Sequence, residues 1–134
     1  MPNTAIPPTP PGFEPWTLAN ALVGDDGGGG LTLTPQNTAA IFVEPAVFQC
    51  ASSRAPTLDW KGSSDDGQTQ VDIVTNCEVN ENHTKAYGLV NVGPGRCDLL
   101  IKAVTNESLK VYTCVEGGGY SDEASAQLII LGES

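Results

Sequence analysis

From residue 31 onward the chain alternates apolar and polar positions in short runs, each closed by a turn composition. "LKVYTCVEGGGYS" (Leu109 to Ser121) shows the pattern well. Val111, Tyr112 and Val115 favour a pleated chain, and Gly117-Gly118-Gly119 cannot hold one. Period two puts Tyr112 and Cys114 on one face and Val111, Thr113 and Val115 on the other. The same reading predicts strands near 31–34, 39–43, 46–51, 57–61, 69–75, 86–92, 97–103, 110–116 and 123–131. Between them stand "TPQN", "SSRAP", "GSSDDG", "NENH", "GPG" and "TNES", which are turn compositions. No window carries a 3.6-residue stripe. Strands this short and this closely spaced predict an all-β, two-sheet antiparallel sandwich. Alternation predicts that Ile41 and Val43, Phe48 and Cys50, Leu58 and Trp60, Leu99 and Ile101, and Tyr112 and Cys114 face inward.

Composition divides the chain near residue 30. Residues 1–30 hold six prolines, six glycines, three acids and neither Lys nor Arg. That is a Pro/Gly-rich arm or linker, leaving 31–134 as the domain. Phe13 and Trp16 interrupt it: "GFEPWTLANALV" holds enough apolar surface to dock on its own domain or on a neighbouring copy. The formal charge is −10, from six Lys plus Arg against sixteen Asp plus Glu. Such a chain offers no phosphate-neutralising patch, which argues against nucleic acid and anionic membranes as partners. No apolar run approaches the ~20 residues of a membrane span, so direct insertion is not expected. "MPNTAIPPTPPG" lacks the basic start and apolar core of a signal peptide.

The four cysteines are Cys50, Cys77, Cys97 and Cys114, with no C-x-x-C pair and one histidine, His83, far from all of them. Structural zinc usually arrives as close pairs, so an even count without them favours two disulfides and an oxidising compartment. Three connectivities are open on count alone. Sequons at Asn82 ("NHT") and Asn106 ("NES") agree with an extracellular location, secreted or on a surface protein.

Trp60 follows Cys50 by ten residues, Cys114 follows Cys50 by 64, and Tyr112 precedes Cys114 by two. This order and spacing resemble an immunoglobulin superfamily domain of the variable-type set, over residues 31–131. The resemblance rests on "VEPAVFQC", "LDWKG" and "RCDLLIKAVTNESLKVYTC". It implies an inter-sheet Cys50–Cys114 disulfide packed on Trp60, and a Tyr112 hydroxyl that bonds back to the chain at a strand corner. It also implies the second pair, Cys77–Cys97. Loop-closure entropy assigns ~4 kcal/mol to the longer disulfide loop and ~3 kcal/mol to the shorter.

Departures from the family pattern are local. Ser108 and Lys110 stand where the family usually carries an aspartate and a small residue. Arg96 occupies the position of the arginine that pairs with that aspartate, so either Glu107 takes the pairing over or there is none. "EASAQLIILG" lacks the Gly-x-Gly bulge of antibody and T-cell-receptor domains, which sets those classes aside.

Nothing in the sequence reads as catalytic. No serine sits in a nucleophile elbow, and His83 lies inside a sequon. "SDDG" and "GDDG" read as solvated acidic turns and continue into no EF-hand loop, so neither metal nor cofactor is expected. The resemblance implies recognition of a protein partner, possibly a second copy, through the family's G-F-C-C′ face or its end loops. Asp59, Lys61, Val111, Thr113, Val115 and Gln127 would form that face, and Tyr120 on its glycine stalk would anchor a loop contact. The alternative is a structural subunit whose arm docks on the next copy.

Overall fold

The computed structural model describes residues 30–132; residues 1–29, 133 and 134 lie outside the described residues, and with them Phe13, Trp16 and the arm's acidic turn. The described chain forms β1 (Leu31–Leu33), β2 (Thr38–Ile41), β3 (Ala46–Phe48), β4 (Ala51–Ser52), β5 (Leu58–Ser63), β6 (Gln70–Thr75), β7 (Glu78–Val79), β8 (Tyr87–Gly93), β9 (Arg96–Ile101), β10 (Val111–Glu116) and β11 (Glu123–Leu131). One short 3-10 turn, Glu81–His83, separates β7 from β8.

Two sheets result. In the first, β9 pairs with β3 and β4 on one side and β8 on the other, and β1 extends it beyond β4. The second runs β2-β11-β10-β5-β6-β7. The pairing is antiparallel, as expected of the sandwich, apart from β2, which lies parallel to β11 from Thr38 opposite Leu128 to Ile41 opposite Leu131. β7 was not expected. It forms because Asn76 and Cys77 both take left-handed conformations, φ 52° and 60°, making a two-residue hairpin turn.

Between the sheets lie Phe48, Leu58, Trp60, Ile73, Leu99, Ile101, Tyr112 and Leu128. Cys50–Cys114 crosses the core with its Cα atoms 6.5 Å apart. Cys77–Cys97 crosses it again from the β6–β7 turn to β9, Cα atoms 6.0 Å apart. Two inward assignments fail. Ile41 and Val43 are 61% and 59% exposed, and Ala40 faces the core instead. The strand stops at Ile41, and Val43 turns the chain at φ 67°, so its parity no longer follows the run. The single strand expected over 46–51 is also interrupted at Gln49 and Cys50. There the Cys97 N–H donates to the Cys50 carbonyl (3.2 Å). The reciprocal bond is replaced: the Cys97 carbonyl accepts the Trp60 indole N–H (2.9 Å), and the Cys50 N–H donates to Asp98 Oδ1 (3.1 Å).

Candidate functional site

β10 is the centre of the second sheet, and its period-two alternation sends Tyr112 and Cys114 inward while Val111, Thr113 and Val115 point out, half-buried. Register fills the rows beside them. Gln127 and Ser63 flank Val111, Ser125 and Lys61 flank Thr113, and Glu123 and Asp59 flank Val115. β6 adds Asp72 beside Lys61 and Gln70 beside Ser63. The outer face therefore brings Asp59, Lys61, Val111, Thr113, Val115 and Gln127 together. Thr113 and Ser125 hydroxyls bond at 2.7 Å, and Asp59 Oδ1 accepts the Asn76 N–H at 2.8 Å. The face is an apolar strip with hydroxyls, three carboxylates and one ammonium around it.

Tyr120 is not on this face. It sits at one end of the sandwich, 44% exposed, with the Arg54 guanidinium 4.8 Å over its ring. Arg54 also grips Glu116, with Nη2 at 2.8 Å from Oε1 and Nε at 3.1 Å from Oε2. The Glu116 side chain has no exposure, while Arg54 keeps 39% of its own. Ser52 donates its hydroxyl to Oε2 (2.7 Å), and the Asp122 N–H donates to Oε1 (3.1 Å). Arg54 holds the Glu116 carboxyl below the usual carboxylate range against the opposing effect of burial, and Ser52 and the Asp122 N–H assist. The chain's start is tied to the same spot: Leu31 N–H donates to Asp122 Oδ2 (3.2 Å) and Ser53 N–H to the Gly30 carbonyl (2.8 Å). A Cβ on Gly30 would collide with Glu116 Oε2 and Arg54 Nε, so a larger residue there would have to displace the Arg54–Glu116 pair.

The other arginine makes a second buried pair. Arg96 donates to Asp98 from Nε (3.0 Å) and Nη2 (2.8 Å), so neither Glu107 nor a missing partner describes it. Both residues lie on one face of β9, two positions apart, which brings them together at no cost in chain closure. Asn91 Nδ2 donates to Asp98 Oδ2 at 2.8 Å. Burial pushes the Asp98 carboxyl up, but the bonds from Arg96, Asn91 and the Cys50 N–H outweigh it and leave the carboxyl below its ordinary value. Tyr112 needs a correction as well: its hydroxyl meets the Tyr87 hydroxyl at 3.1 Å and not the backbone of a corner. Burial raises both phenols, so each stays protonated.

Sequence reasoning missed Glu116 and Asp98. A signal for Glu116 existed: it continues the inward parity of Tyr112 and Cys114, and an inward carboxylate needs a cation. Asp98 carried no such signal, because its parity is outward and yet it is fully buried.

Asn82 in the 3-10 turn and Asn106 before β10 are both exposed. His83 is half-buried, edge-on to the Tyr87 ring at 6.2 Å. Asp66 Oδ1 accepts the Ser64 hydroxyl (2.7 Å) and the Gln68 N–H (2.9 Å), so that carboxylate closes its own turn. Among the described residues no group of three or more His, Cys, Asp or Glu is placed to hold a metal.

No protein-family model matches the sequence, and no curated protein does. Solved structures do. The Ig-like domain of human leucine-rich repeat-containing protein 4 is similar at 17% identity and TM-score 0.55, over 83% of this chain and 94% of that one. The RIG-5 IG1 homodimer structure matches at 12% identity and TM-score 0.63, over 78% of this chain and all of that one. A chimeric titin Z1Z2 tandem matches at 20% identity and TM-score 0.57 over 83% of this chain, which spans 54% of the tandem. The fold is an immunoglobulin-like sandwich. Two disulfides in such a fold are typical of extracellular domains. Among the described residues, no helix is long and apolar enough to cross a membrane.

Proposed function

We propose that this chain is a non-catalytic extracellular recognition module of the variable type, which binds a protein partner through the outer face of β11, β10, β5 and β6. The variable-type reading is supported by β6 and β7, which extend the second sheet beyond β5. The observation that carries the partner face is the half-buried Val111-Thr113-Val115 strip at its centre, with polar neighbours in register on both sides. A second copy of the chain is the partner that this face fits first. Its one ammonium, Lys61, can meet Asp59 or Asp72 across a two-fold axis while the apolar strips meet each other. One solved neighbour is itself described as a homodimer.

The test is solution mass by light scattering over a concentration series. Native chain should move from monomer towards dimer, and Thr113→Arg should weaken that association at least tenfold with unchanged circular dichroism. Net charge of −10 opposes self-association, so added salt should strengthen it. A native chain that stays monomeric throughout overturns the second copy as partner, and dimers untouched by Thr113→Arg overturn this face.

A further inference from the structure

Both sheets meet water along their outermost strands, and one of these strands differs from the rest. β8 pairs with β9, and among the described residues its other edge bonds to no strand. It has seven residues, whereas β1, β2, β3 and β7 have three, four, three and two. Its sequence, "YGLVNVG", carries neither charge nor proline. Register with β9 runs evenly from Tyr87 to Val90 and becomes irregular only beyond it. Val92, further along, is 57% exposed. A long, uncharged edge is a template on which another chain can add a strand, and native proteins blunt such edges with charge, proline, bulges or a cover.

At the head of β8 stands the sequon "NHT". The chain passes from β7, outermost in the second sheet, to β8, outermost in the first, through the 3-10 turn that has Asn82 at its centre. Neighbours pin this turn at both ends. Asn80 donates from its N–H to the Ile73 carbonyl (2.8 Å) and from Nδ2 to the Asp72 carbonyl (3.0 Å), and Lys102 Nζ donates to the Thr84 carbonyl (2.9 Å). Asn82 takes no part in the pinning. It is exposed, and its side chain makes no hydrogen bond among the described residues. The amide is therefore held out from a fixed turn, and a group attached to it breaks no contact. The other sequon sits differently: Ser108, its hydroxyl residue, accepts the Thr105 N–H (2.9 Å) and closes the turn that carries Asn106.

We propose that Asn82 carries an N-linked oligosaccharide, and that this sugar covers the open edge of β8. The step joins Asn82 Nδ2 to the anomeric carbon of an oligosaccharide donated as its lipid pyrophosphate. The bond from that carbon to the phosphate oxygen breaks, the lipid pyrophosphate leaves, and Nδ2 gives up a proton to the transferase. The motif supplies Thr84 as the hydroxyl residue, with His83 between and no proline. The inference rests on the extracellular reading above, since only a chain entering the secretory route meets such a donor.

The test is secretion of the full chain, behind a leader, from a eukaryotic host in an Asn106→Gln background, which leaves Asn82 as the remaining sequon. Peptide mass should show an oligosaccharide on Asn82, and Thr84→Ala should abolish it. After enzymatic removal of the sugar, light scattering should show assemblies larger than a dimer growing roughly tenfold faster, and Val92→Lys, which puts a charge on the edge, should suppress them. A chain secreted with both disulfides formed but bare at Asn82 overturns the glycan and leaves the extracellular reading standing. A chain retained in the cell with free thiols overturns both. Association unchanged by removal of the sugar, or assemblies that Val92→Lys leaves intact, overturns the cover on β8.

Discussion

Arg54 and Arg96 are the two arginines of this chain, and each binds a carboxylate with no exposed surface through a forked contact. The pairs are chemically alike and hold different things. Asp98 uses its remaining acceptor capacity on the Cys50 N–H, inside a sheet and next to the disulfide that crosses the core. Glu116 uses its capacity on Ser52, at the end of β4, and on the Asp122 N–H, in the β10–β11 loop that also receives the start of β1. What a buried ion pair does is set by the third and fourth groups on the carboxylate. One pair repairs a strand, and the other shapes the loop end where Tyr120 stands.

The largest break in this comparison should come from Asp98→Ala. It leaves the buried Cys50 N–H and the Asn91 amide without an acceptor and Arg96, itself 36% exposed, without a counter-ion, costing ~2–3 kcal/mol in denaturant unfolding. Asp98→Asn should recover part of that loss. Glu116→Gln should cost less, ~1–2 kcal/mol, because the amide keeps the side chain's volume and an acceptor oxygen for Ser52, Arg54 or the Asp122 N–H. Its signature should be local, with amide exchange at 52–55 and 117–122 accelerated at least tenfold while β9 and β10 stay protected. Equal global losses for the two variants would erase the distinction.

Acid sharpens the comparison further. Both carboxyls titrate below their ordinary values, so below about pH 4 the unfolded chain binds more protons than the native one. The stability they supply is complete above that range and falls away as pH drops through the native values. Glu116→Gln and Asp98→Asn should each flatten the acid limb of a stability–pH curve, and identical limbs in both variants and native chain would remove the pairs as its cause. The smallest effect belongs to Tyr120→Ala. It removes the ring under Arg54 and should cost under ~0.5 kcal/mol at an exposed site, measured as a shift in denaturation midpoint.

The sandwich was readable where both neighbours of a strand are fixed by the core. Trp60, Leu99, Ile101 and Tyr112 are all buried, because a one-residue slip in a central strand would turn its whole apolar set outward. At the edge that constraint lapses. β2 has four residues and one neighbour, so apolar content at Ile41 and Val43 did not predict the inward side. The outer face around Val111 followed from the same parity as the core, so its residues could be named in advance. The carboxylates could not be paired from sequence for opposite reasons. Arg54 and Glu116 are 62 residues apart and meet only through the fold. Arg96 and Asp98 are two apart on one face of β9, a pairing that the family's more distant aspartate position does not suggest.

The parallel pairing of β2 with β11 has a mechanical consequence. The chain enters the domain through β1, held on the first sheet by β4, and leaves it after β11; once β1 gives way, tension between the two ends pulls β2 and β11 in opposite directions along their length. Four register pairs, Thr38–Leu128 to Ile41–Leu131, are then loaded together in shear and not peeled one after another. If this domain is strung between anchored neighbours, its hold under load resides in that short ladder, and its lifetime there is set by an unfolding rate.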